Sequence, residues 1–280
     1  MRQSFVNPTP RNDPRRKNLS EVARETKLLL PGLLATRPDV TSDSFLCSRI
    51  VLDATYCPHL QPTRVRVLAM DTIDAALSLP AGEPRPVAVL NMANARTPGG
   101  GWLHGALAQE EALCYRSSLS MTLHDKHYPI PERSVIYSPS VMIIRSNLRD
   151  GSQLLDFRDP SQLPIISVLS CAAICQPQLR RDSRGNDLYR DPKDEELTLE
   201  KMRAVLRAAI RNGHRQIVLG ALGCGVFGNP SREVALMWKQ VLREQEFQGG
   251  WWRDVVFAVL PGGKTDNYTI FQAELDGRKV

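Results

Sequence analysis

The stretch Asn91-Met92-Ala93-Asn94-Ala95-Arg96-Thr97-Pro98-Gly99-Gly100-Gly101-Trp102-Leu103-His104-Gly105-Ala106-Leu107-Ala108-Gln109-Glu110-Glu111 decides how the chain is read. The short apolar run Val87-Ala88-Val89-Leu90 before it, beside prolines, predicts a buried strand, and the good helix formers from Leu107 to Met121 predict a helix after it. The stretch is then a strand-to-helix crossing with a glycine-rich loop inside. Gly99, Gly100 and Gly101 have no Cβ, so the backbone there can reach φ > 0, approach a ligand and offer N–H groups to an anion. The acidic pair Glu110-Glu111 sets the loop apart, because carboxylates weaken anion binding and need a separate reason. Proton transfer beside a bound phosphate ester supplies one. The plainer reading is an exposed helix start, where acidic residues are favoured anyway. Ala106-Leu107-Ala108 and Ala112-Leu113 on either side argue instead for a partly buried groove.

A second loop has the same character. The apolar run Gln216 to Ala221 predicts a buried strand, and Ser231 to Glu244 predicts a helix. Between them lies Leu222-Gly223-Cys224-Gly225-Val226-Phe227-Gly228-Asn229-Pro230, whose glycines can expose N–H groups at a helix N-terminus. One such loop is weak support for a ligand; two in one α/β chain favour a ligand with two phosphates or a pyrophosphate. The first loop has neither a Walker A lysine nor the G-x-G-x-x-G spacing, so ATP hydrolysis and hydride transfer lose their best markers there. Asn94, at the end of the first strand, suits ribose hydroxyls and an Asx-turn equally.

Around these loops the pattern alternates. Residues 20–30 predict an amphipathic helix stopped by Pro31-Gly32; Ile50-Val51-Leu52 predicts a short strand; Arg64 to Met70 alternates like a strand, with Asp71 or Thr72 capping a helix through Leu79. Ser134–Tyr137 and Val141–Ile144 read as two short strands, and Leu163–Leu169 and Val255–Leu260 as buried ones. Residues 176–194 read as a long surface loop, and Glu195 to Arg211 as an amphipathic helix. Strands alternating with helices imply an α/β layered sheet, in which ligands sit at the carboxyl ends of strands.

The 280 residues are 42% hydrophobic, enough for a sizeable core, and lack a strong linker within 60–275, which favours one domain. A net charge of +6 suits anionic ligands without amounting to a nucleic-acid footprint, so no direct nucleic-acid binding is expected. Residues 1–17, with a basic cluster from Arg11 to Lys17, read as a disordered tail. The six cysteines have no zinc spacing, and Cys171 and Cys175 read as core packing. No apolar run approaches the roughly 18 residues of a membrane span and no secretory leader is visible, so the expected location is intracellular, nuclear or cytoplasmic.

Gly99-Gly100-Gly101, seven intervening residues and Gln109-Glu110-Glu111 resemble the signature of poly(ADP-ribose) glycohydrolases, and residues 98–119 resemble the microbial-type branch. The likeness extends through the N-terminal helix, Val141–Arg145 and the loop Leu219 to Asn229, covering residues 18–262. It implies a macrodomain-like fold, a mixed sheet between helices with an N-terminal helical extension, and an ADP-ribose cleft. By resemblance, Glu111 is the catalytic acid and Glu110 positions the scissile ribose. Asn94, Gly99, Gly100, Gly101 and Gln109 belong to the substrate site, Asn94 holding the terminal ribose. Gly223, Cys224, Gly225, Val226 and Phe227 form the diphosphate loop, with Phe227 packing on ribose. The implied reaction is hydrolysis of the ribose–ribose O-glycosidic bond in poly(ADP-ribose), or release of ADP-ribose from modified proteins, without cofactor or metal and as a monomer. A macrodomain that binds ADP-ribose without cleaving it is the alternative, and so is removal of single ADP-ribose units from protein or nucleic acid. Two carboxylates beside a dianionic ligand are of no use to a reader.

Overall fold

The computed structural model describes residues 14–262 and 266–280. In chain order the main elements are helix α1 (Pro14–Ala35), strands β1 (Phe45–Ser48) and β2 (Val65–Leu68), helix α2 (Thr72–Leu77), β3 (Ala88–Met92), α3 (Gln109–Arg116), β4 (Ser134–Met142) and β5 (Ile165–Cys171). There follow β6 (Leu179–Arg181), β7 (Asp187–Tyr189), α4 (Pro192–Arg211), β8 (Gln216–Leu219), α5 (Ser231–Val241), β9 (Asp254–Ala258) and α6 (Asn267–Leu275). Seven strands make one mixed sheet in the order β1-β4-β5-β3-β8-β9-β2, and β6 and β7 form a separate hairpin. From β5 through β2 neighbouring strands run parallel, while β4 is antiparallel to both β5 and β1.

Strand alternation builds the two layers, because successive side chains point to opposite faces. On β9, Val255 and Phe257 pack with Leu206 of α4, Trp238 of α5 and Phe271 of α6. Val256 and Ala258 pack on the other face with Ile73 of α2, Leu113 and Tyr115 of α3, and Ala23 of α1. β3 and β8 alternate in the same way, Val89 and Val218 facing one layer and Leu90 and Leu219 the other. Because β3 and β8 are parallel neighbours, both glycine loops leave the same edge of the sheet. Among the described residues, no helix is long and apolar enough to cross a membrane.

The mixed α/β sheet between helices is as expected, but several elements differ. α1 runs through Pro31-Gly32 to Ala35 instead of stopping there. An interior proline costs a helix about 3 kcal/mol; here Leu30 and Leu33, buried against Met142, Ile144 and Leu163, offset it. α1 also begins at Pro14, so residues 14–17 of the expected tail are helical, and residues 1–13 lie outside the described residues. Ile50-Val51-Leu52 is not a strand: the nearby strand is β1, and Arg49, at φ 52, turns the backbone out of the extended run behind it. The two runs expected at 134–137 and 141–144 are one strand, β4, whose register with β5 shifts between Ser138 and Val141. Residues 176–194 contain the β6–β7 hairpin and the start of α4 in place of a featureless loop. Cys171 is buried as expected, whereas Cys175 is exposed.

Candidate active site

The first glycine loop wraps around the two carboxylates. Gly100 and Gly101 spend their N–H groups inward, Gly100 on Thr97 O at 2.9 Å and Gly101 on Glu111 Oε1 at 2.9 Å. The expected offer of these amides to an anion is therefore replaced by a grip on Glu111. Glycine is required for steric reasons too: at Gly100, with φ 60, a Cβ would overlap Glu111 Oε1 and stand 3.1 Å from Glu110 Oε2. At Gly99, with φ 70, it would stand 2.8 Å from the buried Trp102 ring and 3.1 Å from Cys114 Sγ.

The two acids have different surroundings. Glu110, 4% exposed, has both oxygens engaged: Oε2 accepts the Asn94 N–H at 2.7 Å and Oε1 accepts Asn91 Nδ2 at 3.3 Å. Burial pushes its carboxyl up to about 8; hydrogen bonds from Asn94 and Asn91 oppose the rise, and the neighbouring Glu111 charge adds to it. Glu111, 9% exposed, has one oxygen on Gly101, and its Oε2 has no hydrogen-bond partner among the described residues. The pair stands in the first turn of α3, but that turn is buried and not the exposed helix start of the plainer reading.

Asn94 Oδ1 accepts the N–H groups of Arg96 and Thr97 at 2.9 and 3.0 Å, which is the Asx-turn arrangement. Its Nδ2 has no partner among the described residues and remains a donor for a ligand. Gln109 is a strap: Oε1 accepts the Met92 N–H at 2.9 Å, and Nε2 donates to Leu90 O at 2.7 Å and Thr72 Oγ1 at 3.1 Å. Its amide thus pins the start of α3 to β3 and α2. At the other end of α3, Arg116 is 2% exposed and bridges Asp71 at 2.6 Å and Asp74 at 2.7 Å. Tyr115 donates to Trp102 O and Ala106 O, and Thr26 of α1 donates to Tyr115 O. The carboxylates therefore sit on a helix fixed at both ends.

The second loop is open where the first is closed. Gly223 needs its left-handed backbone, φ 74, because a Cβ would overlap Asn229 Nδ2 and stand 2.6 Å from Ala173 Cβ. The Cys224 N–H is used on Ala221 O at 3.0 Å, and burial pushes its thiol up to about 12. The next amides, of Gly225, Val226 and Phe227, form no hydrogen bond among the described residues, and Gly225 and Val226 are exposed. Consecutive free amides just ahead of a helix N-terminus suit an anion. The three residues line a cavity of about 550 Å³, a size that takes a nucleotide-like ligand. Gly223, Leu107, Ala108, Gln109, Met70 and Arg149 line it as well. Glu110 and Glu111 are not on this wall; they follow Gln109 and turn toward Gly100.

Three residues of this arrangement escaped the sequence reading. Asn91 lies under Glu110 and also donates to Ser170 Oγ at 2.9 Å. Asn229 ties the second loop together, and Tyr189 holds Asn229. A signal existed for Tyr189: Leu179 and Leu188-Tyr189 flank a turn at Gly185, as a hairpin requires. Among the described residues, no group of three or more His, Cys, Asp or Glu side chains is placed to hold a metal ion.

Fold and site together define a macrodomain-like α/β protein with a buried carboxylate pair gripped by one glycine-rich loop and free backbone amides on the other. The family model of the microbial-type PARG catalytic domain matches residues 15–146. No curated protein matches the chain. Among solved structures, the poly(ADP-ribose) glycohydrolase (PARG) of Thermomonospora curvata is 26% identical with a TM-score of 0.71, over 92% of this chain and 100% of that one. The same enzyme bound to the inhibitor ADP-HPD is 28% identical with a TM-score of 0.69, over 92% and 99% of the two chains. The PARG of Deinococcus radiodurans in complex with ADP-ribose is 29% identical with a TM-score of 0.66, over 87% and 97%. The chain is thus similar to the microbial-type PARG catalytic domain over residues 15–146 and to solved bacterial PARGs over most of its length.

Proposed function

We propose that this enzyme hydrolyses the ribose–ribose O-glycosidic bond of poly(ADP-ribose) and releases ADP-ribose, with Glu111 carrying the proton. The observation that carries this assignment is the asymmetry of the pair: both Glu110 oxygens are engaged within the fold, while Glu111 has one oxygen fixed by Gly101 and the other unpartnered. Only Glu111 has an oxygen to give to a substrate.

In this reading the diphosphate lies against the amides of Gly225, Val226 and Phe227. The terminal ribose reaches the end of the cavity where Leu107–Gln109 meet the first glycine loop, and the Asn94 amide and the Phe227 ring contact the sugar. Glu111 protonates the departing 2′ oxygen as the glycosidic bond breaks and an oxocarbenium-like centre forms. The resulting carboxylate then takes a proton from the attacking water, so a single residue serves as acid and then base. With its carboxyl raised to about 8, Glu110 is neutral at pH 7, so the pair sets at most one negative charge beside the diphosphate. That removes the objection that two carboxylates would repel the ligand. The diphosphate charge in turn stabilises the developing cation.

Incubation with automodified polymer and with mono-ADP-ribosylated protein in parallel, following free ADP-ribose, tests the reading. Release from polymer is expected. Binding of ADP-ribose without release from either substrate would make the protein a reader, and release from the mono-modified protein alone would make it a different hydrolase.

A further inference from the structure

We propose that Tyr189, on the β6–β7 hairpin, is a positioning residue for the reaction: acting through Asn229, it sets the shape in which the second glycine loop meets the substrate diphosphate. The inference rests on the reading of that loop as the diphosphate site.

Within the loop one backbone hydrogen bond closes a turn, Gly228 N–H on Gly225 O at 3.0 Å; the central amides, Gly225 to Phe227, make none among the described residues, so the turn is placed by a fixture at the two ends. Asn229 makes that fixture. Its backbone N–H and its Nδ2 both donate to Gly223 O, at 3.0 and 3.1 Å, and Nδ2 also donates to Ile174 O at 2.7 Å. Gly223 is moulded around the same amide, since a Cβ there would overlap Asn229 Nδ2. Phe227 O accepts the Gln176 N–H at 2.8 Å, which ties the loop tip to the segment leading into the hairpin.

The orientation of the Asn229 amide is set from outside the loop. Asn229 is 4% exposed, and its Oδ1 has one partner among the described residues, the Tyr189 hydroxyl at 2.7 Å. An amide oxygen only accepts, so the hydroxyl gives its hydrogen to Asn229; Thr198 Oγ1 of α4 lies 3.2 Å from the same hydroxyl and 2.8 Å from Asp194 O. Burial raises the Tyr189 phenol further above its ordinary range, so it stays a donor. The Tyr189 backbone N–H donates to Glu233 Oε2 of α5 at 2.6 Å, fixing the residue that carries the hydroxyl. Without the hydroxyl, Oδ1 would be buried with no donor, and the amide would be held from its Nδ2 end alone, by Ile174 O and Gly223 O. Its grip on Gly223 O would loosen, and with it the placing of the free amides. Such a change acts on binding of the diphosphate, and Glu111 lies elsewhere, on α3.

The test is Tyr189→Phe, which keeps the ring and removes only the hydroxyl, with Leu179→Ala as a control that loosens the same hairpin and leaves the hydroxyl in place. Calorimetric titration with ADP-ribose and steady-state hydrolysis of polymer are measured for both. Tyr189→Phe is expected to raise the ADP-ribose Kd and the polymer KM about tenfold, the size expected when a buried acceptor loses its donor, with kcat within about twofold. Leu179→Ala should lower the Tm and leave Kd unchanged. A Tyr189→Phe protein that binds ADP-ribose like wild type overturns the proposal, as does a fall in kcat with KM unchanged. An equal loss of affinity in Leu179→Ala also overturns it, because hairpin packing would then suffice. Wild-type protein that binds no ADP-ribose would overturn the diphosphate reading itself, a result distinct from all of these.

Discussion

Gly100 and Glu111 are fitted to each other: a Cβ on Gly100 would stand where Glu111 Oε1 is, and the next amide, Gly101 N–H, holds that oxygen at 2.9 Å. The triple glycine thus makes room for a carboxylate and orients it. Gly100→Ala should therefore move Glu111 and also strain a backbone at φ 60. Hydrolysis is expected to fall by about 10²-fold or more, the lower end of what a misplaced general acid costs. ADP-ribose affinity, set on the other loop, should change by less than about fivefold, a shift under 1 kcal/mol. Parallel kinetics and titration check this.

Glu110 should leave a mark on stability against pH. Its folded value, about 8, lies above the ordinary 4.5, so between these values the unfolded chain has released a proton that the folded protein keeps. Stability attributable to this group is fully present below about 4.5, falls as pH rises, and levels off above about 8. The slope approaches about 1.4 kcal/mol per pH unit inside that window. Thermal melts from pH 5 to 9 should show the decline in wild type and lose this component in Glu110→Gln. The same ionisation adds charge beside the diphosphate, so the ADP-ribose Kd should rise above pH 8 in wild type and stay flatter in the variant.

Gly225 and Gly223 separate ligand effects from folding effects. A Cβ at Gly225 meets nothing within 4 Å, and its φ is not in the left-handed region, so Gly225→Val should fold with an unchanged Tm. Its side chain would project beside the free amides, and ADP-ribose affinity should fall at least about tenfold, or 1.4 kcal/mol. Gly213→Ala, at φ 80 after α4, should cost stability through the helix cap while leaving affinity alone. Differential scanning calorimetry with titration decides between the two kinds of effect.

Much of this was legible in the sequence. Short apolar runs such as Val87–Leu90 and Gln216–Ala221 located buried strands, and glycines after them located both loops. What the runs could not show was direction: whether Gly100 and Gly101 turn their amides toward a ligand or toward Glu111 depends on the fold of the loop. Asn94 forms the expected Asx-turn with one end of its amide, and the other end is open for the ribose contact proposed above. Tertiary packing overrode local signals at Pro31, where buried leucines carry the helix onward. The polar composition of 176–194 concealed Tyr189, whose role arises only because the hairpin folds onto Asn229.

The most direct test of the central assignment is Glu111→Gln, assayed on poly(ADP-ribose) and titrated with ADP-ribose in the same preparation. The amide retains the shape of the side chain and can still accept the Gly101 N–H, but it cannot deliver a proton. Hydrolysis should fall by about 10² to 10⁴ while ADP-ribose Kd stays within a few-fold. A Glu111→Gln protein that keeps more than about a tenth of wild-type turnover would contradict the account and remove Glu111 from proton transfer.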